Sequence, residues 1–171
     1  MKHYSVIITG SIGVGKSTLC WEIYQYLKGY TDSIGGVITL QNEKKWFYLI
    51  NENIKISFEA NETEDFILIG KYKVSKKNFQ IVNQSIKNSL GKDYLFLDEI
   101  GYLELQFQGY YEILELVIKR SQSNIFVVKE KILKELIKKY PPLKFYDVVK
   151  VYNRDIDIAL EKIKKGLSPE N

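Results

Sequence analysis

The chain has 171 residues, of which 45% are hydrophobic and 27% charged, and this predicts one domain, residues 1–171, with a full hydrophobic core. Its formal net charge of +4 comes from lysines spread over pairs such as Lys44-Lys45, which we interpret as solvated surface, so the composition argues against a nucleic-acid partner. A single cysteine, Cys20, excludes a disulfide framework and no apolar run is long enough to span a membrane, so we expect a cytoplasmic protein with no membrane partner.

The first informative stretch is GSIGVGKST, residues 10–18, which lies between an apolar run typical of a strand and a helical pattern beginning at Leu19. It satisfies G-x-x-x-x-G-K-[ST], the phosphate-binding loop or Walker A pattern, in which glycines turn successive N–H groups towards phosphate oxygens. Lys16 would reach the β- and γ-phosphates as a catalytic residue, and the Ser17 hydroxyl would bind Mg²⁺. We predict that the whole loop binds nucleotide: Gly10, Ser11, Ile12, Gly13, Val14, Gly15, Lys16, Ser17 and Thr18.

After the first helix, short β-type runs alternate with turns between residues 33 and 59. Strands are predicted at 34–40, 46–50 and 54–58, and a further short strand at 66–69. This spacing is typical of antiparallel hairpins rather than of a crossover helix. We therefore predict a hairpin extension of the sheet at about residues 33–59.

From Val74 onward, helical patterns alternate with short apolar strands, which is typical of a mostly parallel sheet with helices on both faces. Ser75 is a candidate N-cap. The sequence therefore predicts a three-layer α/β fold. The predicted elements are, in order, a helix ending at Gly91, a strand at 94–97, a helix at about 106–121, a strand at 125–128, a helix ending before Pro141, a strand at 148–152 and a helix at 156–167.

The strand YLFL ends in two acids, Asp98 and Glu99. Ligands of open α/β sheets bind at the carboxyl ends of strands, so Asp98 is placed to hold the Mg²⁺ that Ser17 also binds, as in the Walker B pattern. An acid directly after that aspartate is where one division of P-loop ATPases keeps the glutamate that polarises water. Glu99 therefore favours hydrolysis over phosphoryl transfer to another acceptor.

Several motifs in the same order resemble the THEP1-type nucleoside-triphosphatases: the loop at 10–18, GKYKV at 70–74, DEIGYLEL at 98–105 and NRD at 153–155. The resemblance covers nearly the whole chain. It implies a P-loop NTPase core of the RecA-like type, Mg²⁺ dependence, hydrolysis of ATP and other nucleoside triphosphates, loose nucleobase selectivity and slow turnover. Lys16 and Glu99 would be catalytic, and Ser17 and Asp98 would hold the metal.

The chain departs from that family in the hairpin region. The family usually carries Thr-x-Glu-x-Arg followed by a further arginine and Gly-Phe. Here Thr39 is present, but Gln41 and Glu43 stand at the Glu and Arg positions, and Trp46-Phe47 replaces Gly-Phe.

Candidate cations for the phosphate charge are therefore few, since Arg120 and Arg154 are the only arginines of the sequence. We interpret Arg120 as a surface or capping residue. Asn153 and Arg154 are predicted to pack on base or ribose, with a structural salt bridge of Arg154 as the alternative. Lys71 is either a weak cation at the γ-phosphate or a solvated lysine. Glu104 is expected to anchor the loop after Asp98-Glu99 by hydrogen bonds.

Four functions compete at this point. The leading one is Mg²⁺-dependent hydrolysis of nucleoside triphosphates. A nucleotide or small-molecule kinase is the second, although residues 30–119 lack the arginines usual in acceptor or lid regions. The third is a nucleotide-binding switch with little activity of its own, and a nucleic-acid role is a distant fourth.

Overall fold

The computed structural model describes residues 3–153 and 155–168. Short 3-10 turns at Glu130–Ile132 and Pro141–Phe145 flank the fifth helix. The other elements, in chain order, are β1 (Val6–Thr9), α1 (Lys16–Lys28), β2 (Ile34–Gln41), β3 (Lys45–Leu49), β4 (Ile54–Ser57), β5 (Phe66–Ile69), β6 (Tyr72–Ser75), α2 (Lys76–Asn88), β7 (Tyr94–Ile100), α3 (Tyr102–Leu105), α4 (Tyr111–Ile118), β8 (Ser123–Val128), α5 (Leu133–Lys139), β9 (Asp147–Lys150) and α6 (Ile156–Leu167).

The main sheet has seven strands in the order β4-β3-β2-β7-β8-β1-β9. β2, β7, β8, β1 and β9 pair in parallel, whereas β3 runs antiparallel to both of its neighbours. The predicted mostly parallel sheet with an antiparallel hairpin extension is confirmed. β2 belongs to both parts, because it pairs with β7 on one side and with β3 on the other.

Side-chain alternation along the strands divides the core between the two faces of this sheet. On β7, Leu95 and Leu97 pack with the buried residues of α2, α4 and α5, while Phe96 packs with those of α1 and α6. Each face is thus covered by helices, which makes the three-layer arrangement of a P-loop NTPase-like fold. No helix within residues 3–153 and 155–168 is both long and apolar enough to cross a membrane.

A second, two-stranded sheet of β5 and β6 lies beside the hairpin extension. The Ser75 N–H donates to the Phe58 carbonyl at 3.1 Å, and the Ala60 N–H donates to the Lys73 carbonyl at 2.8 Å. The side chain of Ser75 accepts from the Asn78 N–H at 3.2 Å, so the predicted cap of α2 is confirmed. β6 was not predicted as a strand, and it brings Tyr72 next to the end of β4.

The helix predicted at about residues 106–121 is present but shorter. It is α4, which spans only Tyr111–Ile118, and a separate short helix, α3, ends at Leu105, before the predicted start. Between them Phe107 and Gly109 have φ angles of 58° and 65°, which no continuous right-handed helix contains. The apolar period of α4 was read correctly, but it does not extend back through this turn.

Candidate nucleotide-binding site

The glycine-rich loop connects β1 to α1 and lies against the end of β9. Gly15 caps α1 at a φ of 97°, and the helix begins at Lys16 rather than at the predicted Leu19. A Cβ on Gly10 would lie 2.7 Å from the carbonyl oxygen of Val151, so any larger residue there would separate the loop from β9. The loop therefore needs glycine at these positions for backbone shape and for close packing.

The Lys16 ammonium lies inside the loop. Its Nζ donates to the carbonyl oxygens of Gly10, at 2.9 Å, and Ser11, at 2.7 Å. Burial lowers the pKa of Lys16, while the negative charges of Glu99 and Asp98 act in the opposite direction. The structure thus brings the predicted lysine and the two predicted acids into one electrostatic neighbourhood.

Asp98 is fully buried at the carboxyl end of β7. Its Oδ2 accepts from the Thr39 N–H at 3.0 Å, its Oδ1 accepts from the Glu99 N–H at 2.8 Å, and the Ser17 side chain also hydrogen-bonds to it. Burial and the neighbouring charge of Glu99 nevertheless raise the pKa of Asp98 to about 7. The two predicted metal ligands, Ser17 and Asp98, are therefore in contact.

This pair fits a hard divalent cation. The N–H of Thr39 bonds to Asp98, but its buried Oγ1 has no hydrogen-bond partner among the described residues. This unpaired oxygen leaves a place for a polar ligand beside Asp98. Among the residues that the structure describes, no group of three or more His, Cys, Asp or Glu side chains could hold a metal. An ion here would have one carboxylate, one hydroxyl, waters and phosphate oxygens, which is the ligand set that suits Mg²⁺.

Glu99 sits on a β-bulge. The pairing of β7 with β8 shifts register between Leu97 and Ile100, and Glu99 has a φ of 70°. Left-handed backbone is unfavourable for a glutamate, and such outliers cluster at functional sites. The bulge directs the two successive acids to different partners, because Asp98 contacts Thr39 and Ser17 while Glu99 contacts another element altogether.

That element is β3, whose first residue, Lys45, was missed by the sequence analysis as a site residue. Its Nζ lies 2.7 Å from Oε1 of Glu99, and the lysine side chain is only 8% exposed. The same Nζ lies 4.4 Å from the ring centre of Phe58 and 4.6 Å from that of Tyr72. The interpretation of Lys44-Lys45 as solvated surface is wrong for Lys45. The alternation of side chains along a strand could have predicted the burial of Lys45, since Lys45 shares the inward face of β3 with Phe47.

The other cation candidates lie elsewhere. Lys71 is exposed on the turn between β5 and β6, with Nζ 5.2 Å from the ring centre of Tyr72. Arg120 is exposed just beyond α4. Asn153 is exposed, with a φ of 48°, in the segment after β9 that begins beside the loop at Val151. Arg154 lies outside the described residues.

Glu104 anchors the segment after β7, as predicted. It is 2% exposed, and its Oε2 and Oε1 accept from the N–H groups of Gly101 at 2.7 Å and Tyr110 at 2.9 Å. Burial raises the pKa of the Glu104 carboxyl, and the two hydrogen bonds oppose that rise. The bonds connect the end of β7 to the start of α4 across the intervening turn.

Comparisons with known proteins agree with this geometry. The model of a family described as NTPase matches residues 5–164. A nucleoside-triphosphatase THEP1 of Sulfurisphaera tokodaii is 33% identical over 137 residues, which are 74% of this chain and 78% of the relative. The THEP1 protein of Methanocaldococcus jannaschii is 32% identical over 124 residues, 67% of this chain and 71% of the relative.

A solved structure shares the fold. It is the solution structure of a human cancer-related nucleoside triphosphatase, which superposes with a TM-score of 0.73 over 98% of this chain and 99% of its own, at 19% identity. The family match covers nearly all of the chain, and the archaeal relatives carry the same family name along most of it. The chain therefore belongs to the NTPase family, as a divergent member of its THEP1 type.

Proposed function

We propose that the protein hydrolyses nucleoside triphosphates, ATP among them, to the diphosphate and phosphate in a Mg²⁺-dependent reaction. The observation that carries this proposal is the second oxygen of Glu99. Its Oε1 is bonded to Lys45, whereas Oε2 has no hydrogen-bond partner in the part of the chain that the structure describes. A carboxylate oxygen left free beside a phosphate loop is suited to accept a proton from water.

The space beside Glu99 supports water as the acceptor. A cavity of about 10 Å³ is lined there by Glu99, Gly101 and Tyr110 together with apolar side chains. The buried hydroxyl of Tyr110 has no partner among residues 3–153 and 155–168. This volume corresponds to about one water molecule.

In the proposed reaction the loop N–H groups and Lys16 hold the β- and γ-phosphate oxygens. Ser17 and Asp98 would hold Mg²⁺, which when bound neutralises charge on those phosphates. Glu99 takes a proton from the attacking water, a bond forms between the water oxygen and the γ-phosphorus, and the bond to the β–γ bridging oxygen breaks. The remaining loop residues, from Gly10 to Thr18, provide the phosphate cradle.

The nucleoside end of the site is proposed to include Asn153 and Arg154. Asn153 lies two residues after Val151, whose carbonyl approaches Gly10 of the loop, and this proximity supports the proposal. We further propose a cytoplasmic protein, since the one cysteine, Cys20, is free and buried, as suits a reducing compartment.

The test is phosphate release from a panel of nucleoside triphosphates with Mg²⁺. Replacing Glu99 by Gln should lower kcat by about 100-fold or more, because a general base contributes that much, while nucleotide binding persists. Lys16→Ala should weaken both binding and turnover. As a control, Glu112→Gln removes an exposed carboxylate of α4 and should leave both unchanged. Unchanged hydrolysis in Glu99→Gln would show that another group activates water.

A further inference from the structure

We propose that Lys45 is a positioning residue for Glu99: it holds one carboxylate oxygen so that the other faces the attacking water. The role rests on the proposed function, since it has meaning only if Glu99 acts on water. It assigns a task to a lysine that lies outside both the glycine-rich loop and the pair of acids at the end of β7.

The first argument is that Lys45 is buried with a single charged partner. Its residue exposure is 7%, and its Nζ makes one ion pair, to Oε1 of Glu99, among the described residues. Taking two charges out of water costs about as much as their attraction returns, so such a pair contributes little to stability compared with apolar residues of similar size. Stability alone therefore does not account for a lysine at this position.

The second argument is that the ammonium is fixed from three sides. The Lys45 carbonyl accepts from the Phe58 N–H at 3.1 Å, which holds the backbone of β3 to the residue that follows β4. The rings of Phe58 and Tyr72 lie within 4.6 Å of Nζ and attract a cation by their electron-rich faces. A flexible side chain is thus held in one place by β3, the end of β4 and β6.

The third argument is the effect of the Lys45 bond on the orientation of the Glu99 carboxylate. Glu99 lies on a bulge at a φ of 70°, its Oε1 accepts from Lys45 at 2.7 Å, and its other oxygen is free among the described residues. The bond to Lys45 fixes the rotation of the carboxylate and leaves Oε2 as its remaining acceptor. Small displacements of a catalytic group are expensive, at about 100-fold in rate for roughly 1 Å.

The experiment compares Lys45→Met and Lys45→Arg with Lys44→Met, which removes the exposed neighbouring lysine. We expect Lys45→Met to lower kcat by about 10-fold to 100-fold, with KM for Mg·ATP and the Kd values for ATP and ADP within about twofold of wild type. Lys45→Arg keeps a charged donor and should recover most of kcat. Lys44→Met should match wild type.

The second measurement is a double-mutant cycle with Glu99→Gln. If Lys45 acts through Glu99, adding Lys45→Met to Glu99→Gln should cause no further loss of kcat, because the two residues act as a unit. Losses that multiply would overturn the positioning role. A rise in Kd for ATP but not for ADP would also overturn it, since Lys45 would then contact the γ-phosphate itself.

Two comparisons distinguish a loss of positioning from misfolding of the variant and from failure of the proposed hydrolysis. Each variant is compared by thermal unfolding, and Lys45→Leu, which also removes both the charge and the donor, replaces Lys45→Met if the latter does not fold; the same loss of kcat is expected. An active wild type with fully active Lys45 variants would overturn the role of Lys45 alone. A wild type that releases no phosphate would overturn the proposed hydrolysis and this role together.

Discussion

Asp98 and Glu99 are neighbours in sequence with different environments. Asp98 is fully buried among hydrogen-bond donors, whereas the Glu99 side chain is 23% exposed with one oxygen free of partners among the described residues. The left-handed backbone at Glu99 costs about 1–3 kcal/mol, which the surrounding sheet must offset. This strain separates a proposed metal ligand from a proposed base across a single peptide bond.

The contact between Ser17 and Asp98 leads to a prediction about metal use. Ser17→Ala removes the hydroxyl while Ser17→Thr keeps it, and the loop pattern accepts either serine or threonine. We expect Ser17→Ala to raise the Mg²⁺ concentration for half-maximal phosphate release by about tenfold or more, and Ser17→Thr to stay near wild type.

This prediction is measured by Mg²⁺ titration at saturating ATP. Binding of nucleotide in the presence of a chelator serves as the control, because it should be the same in both variants. Equal Mg²⁺ requirements in Ser17→Ala and wild type would show that the hydroxyl does not ligate the ion.

Residues of the site differ in how far the sequence could predict them. Lys16, Ser17 and Asp98 follow from spacing alone, since a strand–loop–helix unit and a strand ending in an acid bring them together. Lys45 could not be found this way. Its contact joins residues 54 positions apart through the pairing of three strands, and strand register is a tertiary property.

At the scale of elements, the segment after β7 is the part that the sequence misjudged. Apolar residues at helical spacing predicted a helix from about residue 106, but α4 begins at Tyr111, because the buried Glu104 closes a turn by accepting from Gly101 and Tyr110. A Cβ on Gly109 would collide with Oε1 of Glu104, so the turn requires glycine there. The hydrogen bonds of one side chain thus set where the helix begins.

Glu104→Gln tests this turn. An amide has one acceptor oxygen, so one of the two buried N–H groups would face an NH₂ group instead. We expect a loss of about 1–3 kcal/mol in the free energy of unfolding, measured by urea denaturation. The same substitution at exposed Glu112 is the matched control and should cost less than about 0.5 kcal/mol. Similar losses for both would argue against the anchoring role.

The hairpin extension forms one edge of the sheet and also contributes residues to the candidate site. β2 presents the Thr39 N–H to Asp98, and β3 presents Lys45 to Glu99. The sequence predicted these strands and their antiparallel pairing from alternation and turns. Because β2 also pairs in parallel with β7, the hairpin is continuous with the central strands.

The whole molecule follows from the sequence more completely than the site does. Alternating apolar strands and helices predicted the three-layer fold, and both core clusters pack on one sheet. The single domain across residues 1–171 stays a prediction. The packing of the β5–β6 sheet against the hairpin could not be predicted from sequence patterns, since it depends on contacts between segments with weak local signals.

Linkage between binding and stability gives a prediction at this scale. A ligand at about 100 times its Kd stabilises the folded state by about 2.7 kcal/mol. For a chain of this size we expect Tm to rise by about 5–10 °C with Mg·ADP. Thermal unfolding with ADP plus chelator should show a smaller shift. Lys16→Ala, at the same nucleotide concentration, should show less stabilisation than wild type.

The hydrogen bonds of Lys16 within its own loop bear on ligand discrimination. With Nζ bonded to the carbonyl oxygens of Gly10 and Ser11, two of its three N–H donors are occupied, so a ligand that needs more than the third must compete with two neutral acceptors. Charged phosphate oxygens accept more strongly than carbonyls do, whereas a nucleoside without phosphate offers nothing better. Product departure then restores the original bonds instead of exposing a bare cation. If the loop binds phosphate as proposed, these bonds would disfavour uncharged look-alikes and would form again after each turnover.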